Sequence, residues 1–328
     1  MKRLVLALLL FIPCLLKAMP IEDINIRDPF IVADEATHTY YLYCSSSVKG
    51  SQGQSIGGVA AYKSKDLKNW EGPIQVFTVP EDNWITGNVW APEVHKYNGK
   101  YYLFATLNTD IEWRHAKGNG WPKYYYRGTQ VFYADSPEGP FQAFDKVPHT
   151  PMEWMCLDGT LFVEDNGQPY MVFCHEWVQT VDGTMCAIPL ATDLSKPVGN
   201  PQTLFYASAA AWSTGSEIKG SDERSYVTDG CFLYRTSKGK LLMIWSSFMN
   251  GQYAIGIAES TSGHVQGPWR QHQEPLFNKD GGHAMIFKSF EGKLFIVFHS
   301  PNSPSGAERA RLYEIEDMGD SLKLIIDN

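Results

Sequence analysis

Tyr97-Asn98-Gly99-Lys100-Tyr101-Tyr102-Leu103-Phe104 places a tight polar turn directly before four large apolar residues in a row. Asn-Gly supplies the positive φ of a short hairpin turn, and an aromatic-rich run bounded by turn residues reads as a strand. The plan returns at Asp165-Asn166-Gly167-Gln168 before Tyr170-Met171-Val172-Phe173, and at Ser237-Lys238-Gly239-Lys240 before Leu241-Leu242-Met243-Ile244. It returns again at Phe290-Glu291-Gly292-Lys293 before Leu294-Phe295-Ile296-Val297, and Tyr40-Tyr41-Leu42-Tyr43 is a fifth copy of the strand. Successive copies lie about 50 to 70 residues apart, so each repeat carries a hairpin of its own.

Ahead of each hairpin lies a further strand that opens on small or acidic residues. These openings are Arg27-Asp28-Pro29-Phe30, Trp90-Ala91-Pro92-Glu93-Val94, Leu157-Asp158-Gly159-Thr160-Leu161, Thr228-Asp229-Gly230-Cys231-Phe232 and Gly281-Gly282-His283-Ala284-Met285. A third element follows each hairpin, and Val131 to Phe141 and Ile255 to Trp269 share one plan there. No stretch holds a helical period. Five self-similar, turn-rich, all-β units predict a five-bladed β-propeller, whose blades pack radially about an axis. A β-sandwich also has many short strands, but nothing in it calls for a fivefold recurrence of one hairpin.

The chain opens Met1-Lys2-Arg3 and stays apolar from Leu4 to Leu16, which reads as a secretory signal peptide over residues 1–18 and an exported, secreted or periplasmic protein. Residues 19–328 are then expected to form one propeller domain, acting as a monomer. The formal charge of −8 comes with no basic cluster, which argues against nucleic acid and membrane as partners and for a neutral carbohydrate. Beyond Cys14 the cysteines, Cys44, Cys156, Cys174, Cys186 and Cys231, are odd in number and lack metal-ligand spacing. They read as small core residues. Ten Trp offer stacking platforms for sugar rings, although most aromatics must serve the core.

In a propeller the first strand of each blade lines the axis, so the five openings converge. Three of them carry Asp: Asp28, Asp158 and Asp229. Asp is disfavoured in strands and costly when buried alone, although for Asp158 and Asp229 an Asp-Gly turn offers a plain structural reason. Carboxylates gathered in one cleft suit cleavage of a glycosidic bond, which needs a proton donor, a base or nucleophile, and neighbours that set their pKa values apart.

Asp28-Pro29-Phe30, Trp90-Ala91-Pro92-Glu93, Leu157-Asp158-Gly159-Thr160-Leu161-Phe162 and Asp229-Gly230-Cys231-Phe232-Leu233, taken in order, resemble glycoside hydrolase family 43, the arabinofuranosidases, xylosidases and arabinanases. The resemblance implies an inverting hydrolase in which Asp28 is the general base, Asp158 raises the pKa of the acid and orients it, and Asp229 is the general acid. The family usually has Glu-Gly-Pro where this chain has Asp229-Gly230-Cys231, so Glu176 and Glu217 stand as alternative donors. The resemblance also implies that His283 faces a water-held calcium on the axis, a polar core histidine being the rival reading; the chemistry itself requires no cofactor.

Trp90 and Trp177 are candidate walls of a sugar pocket, Glu93 and His175 candidate partners for sugar hydroxyls, and His299 and Asn302 candidates for the mouth. The aromatic insert from Asp110 to Arg127 is expected to overhang the second blade and close the cleft into a pocket. That favours an exo-acting α-L-arabinofuranosidase, with β-xylosidase or endo-arabinanase as alternatives. A non-catalytic glycan-binding propeller is the competing class, against which three retained carboxylates argue.

Overall fold

A computed structural model describes residues 18–114, 121–218 and 222–326. The segment read as a signal peptide lies outside the described residues, apart from its last position. The described chain forms five antiparallel sheets of four consecutive strands each, the first extended by one short strand, plus a small hairpin. Blade 1 holds Phe30–Asp34, Thr39–Lys49, Ser55–Ser64 and Asn69–Thr78. Blade 2 holds Asn88–Tyr97, Lys100–Arg114, Tyr124–Ala134 and Gln142–Ala143, and blade 3 holds Cys156–Val163, Pro169–His175, Thr184–Pro189 and Gln202–Tyr206. Blade 4 holds Asp229–Arg235, Leu241–Met249, Gln252–Ser260 and Trp269–Gln271, and blade 5 holds Gly282–Lys288, Leu294–Ser300, Arg309–Asp317 and Leu322–Ile325. The predicted propeller is the observed fold.

The apolar runs that reveal the repeat have a packing reason. Both faces of a blade are covered by neighbouring blades, so its second strand is apolar at successive positions rather than at alternate ones. Tyr101 and Leu103 point into the seam with blade 1, beside Tyr41, Tyr43 and Val59. Tyr102 and Phe104 point the other way, against Met171 and Phe173 of blade 3. Leu241, Met243 and Trp245 face blade 3, while Leu242 and Ile244 face blade 5. Each of the five seams has its own apolar cluster.

The ring is sealed by the segment before blade 1. Met19–Pro20 pairs with Trp70 and Asn69 on the outer strand of blade 1. The chain then crosses to blade 5, where Asn25 bridges Arg309 and the Ile26 N–H donates to the Glu308 carbonyl at 3.3 Å. Ile24 and Ile26 are buried there with Phe30 of blade 1 and Met285 and Val297 of blade 5.

Buried or partly buried carboxylates pin several seams. Asp34 of blade 1 takes Lys96 Nζ of blade 2 at 2.9 Å and the Tyr101 hydroxyl. Glu164 of blade 3 accepts the Val265 N–H of blade 4 at 2.6 Å, and Asp317 of blade 5 accepts the Ser237 N–H of blade 4 at 2.6 Å. Glu308 of blade 5 pairs with Arg27 at 2.8 Å.

The insert expected to overhang blade 2 is a continuation of its strands: the second runs on to Arg114 and the third starts at Tyr124. The ribbon leans over blade 3. Trp121 packs with Met155, Val178 and Ile218, and its indole N–H donates to the Val178 carbonyl at 2.7 Å.

Asp34 tests the seams. Burial opposes its ionisation, yet hydrogen bonds from Tyr101, Lys96 and Thr37 pull its pKa down to about 2. A carboxyl depressed in the folded state stabilises above the unfolded pKa of about 4 and loses that contribution as pH falls toward the folded value. Asp34→Ala is expected to cost about 1–3 kcal/mol at neutral pH, read as a lowered urea midpoint with an unchanged slope. The gap to wild type should fade from about pH 4 toward pH 2; a constant gap would contradict the ionic origin.

Candidate active site

One backbone device repeats at the axis. On or just before the first strand of every blade an equivalent residue has a left-handed backbone: Asp28 (φ 52°), Ala91 (40°), Asp158 (56°), Gly230 (47°) and His283 (55°). In blades 2 to 5 the pairing register shifts at that residue, which marks a β-bulge. Four of these residues send their N–H into the adjoining blade. Asp158 donates to Thr106 Oγ1 at 2.8 Å, His283 to Ser246 Oγ at 2.8 Å, Asp28 to His299 Nδ1 at 3.2 Å and Gly230 to Asp158 Oδ2 at 3.0 Å.

The bulge amends the sequence alignment of the three aspartates. Asp28 and Asp158 occupy the left-handed position, whereas in blade 4 that position is Gly230 and Asp229 stands one residue before it. Asp229 therefore corresponds to Trp90 of blade 2. All three carboxylates still meet, around the His283 imidazole: its Nδ1 lies 3.1 Å from Asp28 Oδ1, 3.8 Å from Asp158 Oδ2 and 3.8 Å from Asp229 Oδ1. Tyr253 donates its hydroxyl to Asp229 Oδ2 at 2.6 Å.

Charge is divided unevenly in this cluster. Burial alone would drive His283 toward the neutral form, but the surrounding aspartates, Asp28 first, hold its pKa well above the usual imidazole range. Burial likewise works against ionised Asp28, yet the adjacent His283 holds it far below the usual carboxylate range. Asp158 goes the other way: burial and the neighbouring Asp229 charge push it well above its ordinary value. His299, buried and neutral, supports Asp28 from below and meets Asn302 at 3.3 Å.

The aspartates form the floor of a cleft of about 850 Å³, lined also by Ser45 to Ser47, Trp90, Glu176, Trp177, Phe248 and Glu308. Trp90 and Trp177 stand at its wall, as the sequence reading expected. Glu93 and His175 do not reach it. Beyond the register shift after Trp90 the strand leaves the cleft, and Glu93 is buried against His95 Nε2 at 2.8 Å. His175 stacks on Trp154 with centroids 4.3 Å apart and meets Gln179 Oε1 at 2.7 Å. Glu217 lies on the small hairpin Ser216–Glu217 and Arg224–Ser225, exposed beside Arg224, and does not line the cleft.

Asp158, Asp229 and His283 each offer one ligand atom, all within 4.8 Å of one another, a donor set whose chemistry fits a cation such as the expected calcium. No step below passes through a metal.

Sequence reasoning missed Arg127 and Tyr253. Arg127 is buried, its guanidinium lies 4.3 Å over the Trp90 ring, its Nε donates to Asn108 Oδ1 at 2.7 Å, and its Nη1 binds Glu176. The available signal was a lone Arg behind Tyr124-Tyr125-Tyr126 in a strand otherwise free of charge.

The sequence profile described as Glycosyl hydrolases family 43 matches residues 18–318. The chain belongs to this family. It is similar to a solved endo-arabinase from Bacteroides thetaiotaomicron, 40% identical with a TM-score of 0.79, over 92% of this chain and 97% of that one. An extracellular exo-α-(1→5)-L-arabinofuranosidase of Cellvibrio japonicus is 22% identical over 88% of this chain and 82% of its own length. A putative β-xylosidase of Escherichia coli is 22% identical over 74% of this chain and 42% of its own. This family-43 chain is a glycosidase whose substrate is a carbohydrate. Among the described residues no helix is long and apolar enough to cross a membrane.

The bulge of blade 4 supplies a test. A Cβ on Gly230 would sit 2.6 Å from His283 Cα, at a φ that disfavours a side chain. Gly230→Ala should displace His283 and with it the three carboxylates, lowering kcat/KM at least about tenfold and stability by about 1–3 kcal/mol. Kinetics and a melting curve on the same preparation check both; unchanged kinetics would show that His283 does not organise the floor.

Proposed function

We propose that this chain is an inverting, exo-acting α-L-arabinofuranosidase that removes arabinofuranosyl units from plant-type polysaccharides or oligosaccharides. The observation that carries the mechanism is Asp28: a carboxylate kept ionised by His283 at the floor of a cleft whose wall holds a separate carboxyl, Glu176. Asp28 takes a proton from water as the water oxygen attacks the anomeric carbon, and a carboxylic acid across the cleft protonates the departing oxygen. Arabinose is favoured over xylose by the 40% identical endo-arabinase and by the exo-arabinofuranosidase, each matched over most of both chains.

For the proton donor, two features favour Glu176 over Asp229. Asp229 already faces a partner at both oxygens, the Tyr253 hydroxyl at 2.6 Å and His283 Nδ1 at 3.8 Å. Asp28 and Asp229 also touch the same His283 nitrogen at 3.1 and 3.8 Å, which puts their oxygens at or under the low end of the roughly 6.5–9.5 Å that inverting pairs hold. Glu176 has its pKa raised by burial, against the pull of Arg127 and with the help of the Asp229 charge. An acid of that kind stays protonated to higher pH than a free carboxyl.

Exo action is supported by the ribbon of blade 2 leaning on blade 3, where its Trp121 packs against the cleft-lining Trp177 with ring centroids 6.2 Å apart. The rival reading, an endo-acting arabinanase, is favoured by a cleft of about 850 Å³ and by the 40% identical endo-arabinase. A panel of nitrophenyl glycosides followed by product analysis on linear arabinan separates them: monomer from the first turnover means exo, a ladder means endo.

Asp28→Asn should reduce turnover by about 10²–10⁴ while the protein still folds, as its circular dichroism spectrum would show. Proton NMR of the first product should show inverted anomeric configuration, and retention would sink the water-mediated mechanism. Glu176→Gln should cripple oligosaccharide cleavage by about 10²–10⁴ while nearly sparing aryl glycosides with good leaving groups. Should Asp229→Ala show that pattern instead, the donor is Asp229.

A further inference from the structure

We propose that Arg127 is a positioning residue that ties the sugar-stacking wall to the proton donor, so that one cation fixes both the ring of the bound sugar and the carboxyl that protonates its leaving oxygen. This rests on the reading of Glu176 as donor. Arg127 comes from the third strand of blade 2, Trp90 from the first strand of that blade, and Glu176 from the end of the second strand of blade 3. The guanidinium carbon lies over the Trp90 ring, 4.3 Å from its centroid, while Trp90 lines the cleft and stays about one-third exposed. A cation therefore holds the indole where the ring remains open to the cleft for a sugar.

The same group has no spare freedom. Asn108 Oδ1 receives Nε at 2.7 Å and Glu176 Oε2 receives Nη1, with side chains only 7% and 13% exposed at that ion pair. A planar guanidinium can stack and form a directed ion pair at once, whereas a Lys ammonium can only supply charge. Trp90 is thus held against Arg127, and Arg127 fixes the azimuth of the Glu176 carboxyl.

Glu176 faces Arg127 from blade 2, Asp229 from blade 4, and within its own blade the Cys156 thiol, which burial keeps neutral. Arg127 is the cation among these groups. Its removal leaves Glu176 with burial and the Asp229 charge alone, both of which favour the protonated acid.

Arg127→Lys and Arg127→Met separate the two jobs. With an arabino-oligosaccharide, Arg127→Met should raise KM about tenfold and move the alkaline limb of kcat/KM upward by about one pH unit or more. Arg127→Lys keeps the charge and loses the plane, so the limb should stay near its wild-type position while the KM rise remains. Binding of arabinotriose to Asp28→Asn with and without Arg127→Lys, followed by Trp fluorescence, should show the same loss of affinity without turnover. Should Arg127→Met fail to fold, the Lys variant still decides the stacking role, and Arg127→Gln takes its place for the limb. Unchanged KM and binding in Arg127→Lys overturn the stacking role. An unmoved limb in the neutral variant overturns the electrostatic role, provided Glu176→Gln shows leaving-group dependence; if it does not, the donor assignment has failed instead, and KM and binding alone judge Arg127.

Discussion

The hydrogen bond from a left-handed backbone N–H into the adjoining blade is the constraint on which the centre of this protein depends. A non-glycine residue at positive φ costs about 1–2 kcal/mol, and four of the five left-handed residues are not glycine. The strain persists because the neighbouring blade receives the exposed N–H, through Thr106, Ser246 or His299, or in the case of Gly230 through Asp158 itself. What turns Asp28 and Asp158 into the cleft is therefore a contact between blades rather than a preference of either strand. The site belongs to the ring and to no single blade.

Around that backbone the charges settle by neighbourhood. Two aspartates in the same backbone conformation are pushed in opposite directions, because Asp28 lies closest to His283 while Asp158 is buried beside Asp229. The floor thus pairs a carboxyl that gives up its proton readily with one that holds it longer. Chemistry that must move a proton in each direction starts from such an asymmetry.

Much of the fold was legible because its cause is local. Asn98-Gly99 and its counterparts announce hairpins, and the apolar runs after them record burial on both faces of every blade. The floor residues were legible too, since Asp28, Asp158, Asp229 and His283 occupy repeat positions. What the repeat could not show was the bulge, which adds one residue without changing composition and so made Asp229 look equivalent to Asp28 and Asp158. Glu93 misled because it shares an opening with Trp90, and beyond the bulge the strand has already left the cleft. Arg127 was invisible because its partners, Trp90 and Glu176, lie 37 and 49 positions away and come together only when two blades pack.

The clasp formed by the segment ahead of blade 1 has a consequence for the order of events during synthesis. Asp28 leaves the ribosome early, but the groups that hold it, His283, His299 and the Glu308 that anchors Arg27, belong to the last blade to be made. The earliest carboxylate must wait for the latest histidines. A nascent chain with four finished blades carries its floor unassembled, so the competence to cut sugar appears only once the circle has shut. Activity in this protein is a readout of closure.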